Sequence, residues 1–116
     1  MNPLTREAIL SVSDLVTEVV PVPEWGGSVI VTTMTGAMRD AWERTIITPE
    51  GKPAIENVRA KLVVSAVIGE DGKPLFTVAD VEALGAKSAA ALDRVARVAQ
   101  RLNRLTEAEL EATLGN

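Results

Sequence analysis

Two prolines and a Trp-Gly-Gly turn, set between two valine-rich runs, constrain this chain more than any other stretch of it. Thr17 to Val22 reads TEVVPV, Pro23 follows, and Trp25-Gly26-Gly27 leads into SVIVTTM over 28–34. The glycines permit the positive φ that a tight reversal needs, so 17–34 reads as a β-hairpin. Pro21 and Pro23 have no amide hydrogen to give to a ladder, which places the first strand at a sheet edge. In the second strand, alternation puts Val29, Val31 and Thr33 on one face and Ile30, Thr32 and Met34 on the other.

The remaining segments read as helices joined by turn chemistry. Thr5 is suited to cap a short helix over 5–11, and Thr35 to cap one over about 36–47. In the latter, Met38, Ala41, Trp42, Thr45 and Ile46 recur at the spacing of one buried stripe. TPEGKP at 48–53 breaks the pattern, and Pro53 fits the first position of a helix whose inner stripe is Ile55, Val58 and Leu62. LVVSAVI at 62–68 is apolar on nearly every side and therefore central, as helix or as strand. GEDGKP turns the chain, and Leu75-Phe76 can pair back on Ala66–Ile68 as a second, tiny hairpin near 66–76. Thr77 with Asp80 forms a capping box for a short helix ending near Gly85, Ser88 caps a long helix over 88–104, and Thr106 with Glu109 opens a last helix through Leu114. The fold class is α+β and mainly helical: an N-terminal β-hairpin followed by four to five helices in a single domain, 1–116.

Composition narrows the chemistry. Of 116 residues, 47% are hydrophobic and only 3% aromatic, so the core is built from Val, Ile, Leu and Ala. The chain has no His, Cys or Tyr, which removes the commonest general base, metal ligand and thiol nucleophile. The acidic turn Glu70-Asp71-Gly72 fails as a calcium loop. With Gly72 at the sixth position, Val67, Gly69 and Val78 fall where ligands belong. No phosphate loop, dinucleotide fingerprint or nucleophile elbow occurs. The expectation is a binding protein without catalytic, cofactor or metal residues. No apolar run approaches a membrane span, and no leader pattern opens the chain.

Two features invite a protein contact. Arg94, Arg97, Arg101 and Arg104 recur along the long helix opposite its apolar face of Leu92, Val95, Val98, Ala99, Leu102 and Leu105. Residues 87–104 carry five basic residues and one acidic on a chain of net charge −4, so this stripe is a local reversal of sign. It suits an acidic partner, such as the acidic end of a neighbouring subunit (Glu107, Glu109, Glu111), or remains a solvated helix face. A nucleic-acid-binding regulator is the alternative from another class, disfavoured by the acidic chain and by the lack of interleaved aromatics. Trp42 sits on a helix stripe and is expected in the core. Trp25, with Gly26 and Gly27 at the hairpin tip, is the contact candidate.

In the same order, VPEWGG, the valine-rich strand, TGAMRDAWE, GEDGKPLFTVADVEALGAKSAAALDRV and AQRLNRLTEAELE resemble the tail assembly chaperones of long, non-contractile-tailed bacteriophages, from about residue 4 onward. The resemblance implies a nonenzymatic protein of the host cell cytoplasm, absent from the finished virion. It would bind the tape measure protein, keep it soluble and help recruit tail tube subunits, and it would self-associate into rings or spirals. It also implies a longer frameshifted form that contacts tube protein, this chain being the short one. A head–tail joining protein that stays in the particle is a further alternative. For a chaperone, Met34 and Met38 join the two tryptophans as adaptable apolar contact candidates.

Overall fold

A computed structural model describes residues 2–105. The helix expected over 106–114 and the acidic residues Glu107, Glu109 and Glu111 lie outside the described residues. Helix α1 (Arg6–Ser11) is capped by Thr5, whose side chain accepts from the Ala8 amide at 3.1 Å. Strands β1 (Thr17–Val22) and β2 (Gly27–Thr32) form the expected hairpin, joined by a 3-10 turn at Pro23–Trp25 and by Gly26 at φ 77. Thr35 caps α2 (Gly36–Thr45), accepting from the Met38 amide at 3.1 Å.

Helix α3 (Val58–Ala66) runs directly into β3 (Val67–Ile68), so the apolar segment 62–68 is helix first and strand afterwards. The helix part is buried nearly all round, with Ala60, Leu62, Val63, Val64 and Ala66 inside. A helix of that composition belongs in the middle of a domain. The strand part pairs Ile68 with Ile30 and Val67 with Val31, giving an antiparallel sheet of order β1-β2-β3. The second hairpin is reduced to a single bridge, Ile68 with Pro74, tightened by the Leu75 amide donating to Val67 O at 3.2 Å.

Two expectations near Pro53 need correction. The helix begins at Val58, not at Pro53, because 46–54 forms its own reversal. Ile47 bridges Pro53, the Thr48 amide donates to Lys52 O at 2.7 Å, and Gly51 sits at φ 80. Asn57, in left-handed backbone at φ 53, then redirects the chain into α3. Ile55, expected on an inner stripe, is consequently 50% exposed. Ala41, expected on the buried stripe of α2, is exposed as well, while Trp42 and Ile46 on the same helix are buried.

The Thr77–Asp80 capping box is present, with the Thr77 amide donating to Asp80 Oδ2 at 2.8 Å, and it opens a 3-10 turn that continues into α4 (Val81–Gly85). Helix α5 (Ala89–Leu102), capped by Ser88, buries Ala91, Leu92, Val95, Ala96 and Ala99. Alternation along β1 and β2 is as expected. The register sets Val20 opposite Val29 and Glu18 opposite Val31 on the face turned to α5, where Val20, Val22 and Val31 are buried. Val19 and Ile30 pair on the opposite face. Pro21 satisfies the edge rule. Thr33 donates to Val16 O at 2.9 Å, so the alternation of paired and unpaired positions turns Val16, Glu18, Val20 and Val22 towards β2 and Pro21 outward.

Candidate functional site

The arginine stripe is the first place to look for a binding surface, and its charges are already engaged. Arg94 reaches across to the hairpin turn and holds Glu24 with both terminal nitrogens, at 2.7 and 2.8 Å. Two turns along α5, Arg101 Nη2 donates to both carboxylate oxygens of Glu18 on β1, at 2.7 Å each. Seven residues is close to two helical turns, so Arg94 and Arg101 leave α5 on nearly the same side and meet carboxylates six residues apart on the edge strand and its turn. Arg97 points elsewhere. Its Nε donates to Asp93 Oδ2 at 2.6 Å, and the other Asp93 oxygen accepts from Arg59 of α3 at 3.2 Å. Arg104 lies past the end of the helix in left-handed backbone at φ 54.

These pairs shift proton affinities in the directions their geometry requires. The two hydrogen bonds from Arg94 are the main cause that lowers the Glu24 carboxyl to about 2, and the same bonds raise Arg94. Hydrogen bonding from Arg97, and then from Arg59, lowers Asp93. Bidentate guanidinium–carboxylate geometry fixes orientation as well as charge. The stripe expected to face an acidic partner therefore ties α5 to the edge strand, the hairpin turn and α3. Glu18 and Glu24 are the residues that the sequence reading missed. Their signal was present, since two acids lie on the first strand and turn of the N-terminal hairpin in a chain whose basic residues cluster on one helix.

The other contact candidates are placed as follows. Trp42 is 3% exposed and belongs to the core, as expected. Its indole N–H finds no acceptor among the described residues, and the Arg39 guanidinium lies 5.7 Å from its ring centre. Trp25 and Met34 are half-buried and packed against the core, Met38 is half-buried, and Gly26 and Gly27 are exposed. The Met34 amide donates to Asn103 Oδ1 at 2.6 Å, and Asn103 Nδ2 donates to Ala99 O at 2.9 Å and Thr32 O at 3.3 Å. That side chain joins the end of α5 to the end of β2.

A second apolar surface was not singled out from the sequence. Helix α1 buries none of its residues. Around it, Leu4, Ile9, Leu10, Val12, Leu15 and Val16 are 45–74% exposed. A six-residue helix is too short to persist on propensity alone, so apolar residues at 9 and 10 were the available hint of a missing surface. Elsewhere, Asp40, Glu43, Arg44, Ile47, Thr48 and Pro49 line an open groove of about 530 Å³ at the end of α2. Among the described residues no group of three or more acidic, His or Cys side chains is placed to hold a metal ion, and no helix is long and apolar enough to cross a membrane.

The sequence matches no family model and no curated protein. The architecture does have a solved counterpart. The structure of the bacteriophage HK97 tail assembly chaperone aligns with 88% of this chain and 94% of its own, at a TM-score of 0.60 and 18% identity. The chain has the fold of a phage tail assembly chaperone. The likeness in fold spans nearly the full length of both chains.

Proposed function

We propose that this protein is a tail assembly chaperone of a long, non-contractile-tailed phage or prophage and acts by binding rather than by catalysis. It holds the tape measure protein in soluble form, helps recruit tail tube subunits, in part through a longer frameshifted form, and self-associates while doing so. Its place is the host cell cytoplasm, and it is left out of the finished virion. The observation that carries this reading is the fold shared with the HK97 protein across 88% of the chain, in a sequence without His or Cys. The engagement of Arg94, Arg97 and Arg101 by carboxylates of the same chain speaks against the nucleic-acid alternative, which needs those charges for phosphates.

Co-expression tests the reading. A tape measure fragment that is insoluble alone is expected to move to the soluble fraction and co-purify with this chain. A fragment that stays as insoluble with the chain as without it would count against the chaperone role. Mass spectrometry of purified virions that finds the chain at structural stoichiometry would favour a joining protein instead.

A further inference from the structure

We propose that the N-terminal arm, residues 4–16, docks on the outer sheet face of a second copy of this chain. The proposal deepens the self-association in the reading above, rests on that part of it alone, and names the two surfaces that meet.

The first surface is the arm. Its six large apolar side chains are 45–74% exposed and α1 buries nothing within its own subunit. Together they place on the order of 500 Å² of apolar surface in water, which is the size of the largest patch on a typical monomer and unusual on a segment so short. The second surface is the sheet face turned away from α5. The register lines up Val19, Ile30 and Ile68 across all three strands of that face, and Pro74 continues the row beyond Ile68. Thr32 closes one end of the face at 2% exposure, Ile30 and Ile68 in its middle are half-buried, and Val19 at the edge is 63% exposed. A sheet with apolar residues on both faces needs a layer on each. Here α5 supplies one layer, and α1 is a helix without a sheet to lie on.

The backbone explains why the two do not meet within one subunit. Val16 is still held to β2, its amide donating to Thr33 Oγ1 at 2.9 Å and its carbonyl accepting from the Thr33 amide at 2.9 Å. From there back to Val12 the chain has no turn or bend, so it leaves along the strand direction and away from its own sheet. Five such residues and the six of α1 reach roughly 25 Å from the edge of the sheet. That is the geometry of arm exchange, in which an element missing its own layer completes the layer of a neighbour. Each copy gives one arm and receives one, so with a matching area on the receiving face a closed dimer takes about 1,000 Å² per copy out of water, the scale of a specific interface, whereas a head-to-tail chain places about half of that in each contact.

The chain has no cysteine, which makes disulfide trapping clean. A full-length variant carrying Leu10→Cys and Val19→Cys is expected to form interchain disulfides under mild oxidation, seen as reducible dimers or ladders on a gel. Mixing the two single variants should give the mixed dimer in at least five-fold excess over either self-linked product. A control pair, Leu10→Cys with Ala83→Cys, should link at least five-fold less. An intrachain disulfide in the double variant overturns the proposal in favour of an arm that folds back on its own sheet. Free thiols, or linking equal to the control, overturn it as well. Leu10→Asp supplies an independent arm, because α1 buries nothing and the subunit should fold unchanged. The proposal expects an unaltered circular dichroism spectrum with a loss of mass by light scattering. If the wild-type chain is oligomeric and Leu10→Asp leaves its mass unchanged, the arm contact is wrong while self-association stands. A wild-type chain that stays monomeric at high concentration removes both. The tape measure solubility assay is read separately, so its failure would not be confused with either result.

Discussion

Trp42 offers the sharpest test of how this core is balanced. It is a buried aromatic group of the core, carried by α2 at 3% exposure, yet its indole N–H has no acceptor among the described residues. Removing the ring entirely in Trp42→Ala leaves a cavity and is expected to cost about 3–5 kcal/mol. Trp42→Phe is different, because two opposing effects of similar size apply. The smaller ring forfeits about 1–2 kcal/mol of apolar burial and packing. It also removes a buried donor whose lost hydration costs about 1–3 kcal/mol. The Arg39 cation, 5.7 Å from the ring, contributes about 0.5–1 kcal/mol at a partly exposed site and is weakened but kept over a phenyl face. The expected result is Phe within about 1 kcal/mol of wild type and Ala several kcal/mol below it, which is a large share of a stability of about 5–15 kcal/mol. Urea unfolding followed by far-ultraviolet circular dichroism measures both without relying on the fluorescence of the mutated residue. A Phe variant as unstable as the Ala variant would refute the reasoning, since it would mean that the N–H is paired in solution.

Three further outcomes follow from the ion pairs and from one close backbone approach. Glu24 is held at about 2, against an ordinary value of 4.5. The stabilisation from its pair with Arg94 is therefore fully present above the ordinary value and is lost as pH falls towards 2; a carboxyl NMR titration of Glu24 with a midpoint near 4.5 would contradict the bidentate contact. Arg101→Ala and Glu18→Ala in a double-mutant cycle should show a coupling of about 0.2–1 kcal/mol that declines with salt, as expected for a pair this exposed, and a coupling indifferent to salt would be inconsistent with that account. A Cβ at Gly85 would lie 2.5 Å from Asn57 Oδ1, so the Asn57 side chain must rotate away, and Gly85→Ala should destabilise by about 0.5–1.5 kcal/mol, the cost of an off-rotamer side chain. Adding Asn57→Gly removes the clash at a position already at φ 53, and thermal melting should then recover most of the loss; no recovery would place the strain elsewhere.

Legibility from sequence followed the range of the interactions. Caps were readable because they are local chemistry: Thr5, Thr35, Thr77 with Asp80, and Ser88 all act within three residues of themselves. The edge position of β1 was readable because a missing proline N–H excludes the alternative. Pro53 misled because a proline that suits a helix start also suits an extended bridge, and only the contact with Ile47 decided between them. The segment 62–68 was ambiguous because its helical and strand patterns are both fully apolar; pairing with Ile30 and Val31 makes its last two residues a strand.

The arginine stripe marks the same boundary at the level of function. Periodicity fixed that Arg94 and Arg101 share a side of α5, and nothing in a helical pattern says what faces that side. The sequence by itself therefore determined the caps, the first hairpin with its edge strand, a core drawn mostly from aliphatic residues, and the lack of His, Cys and Tyr. Tertiary structure decided that Arg94, Arg97 and Arg101 bind the chain's own Glu24, Asp93 and Glu18, that Trp25 leans on the core, and that the large apolar side chains from Leu4 to Val16 are exposed. Those outcomes depend on contacts between residues up to 83 positions apart, such as Arg101 with Glu18. The free energy of such contacts depends on where the backbone brings two groups, which no local pattern encodes.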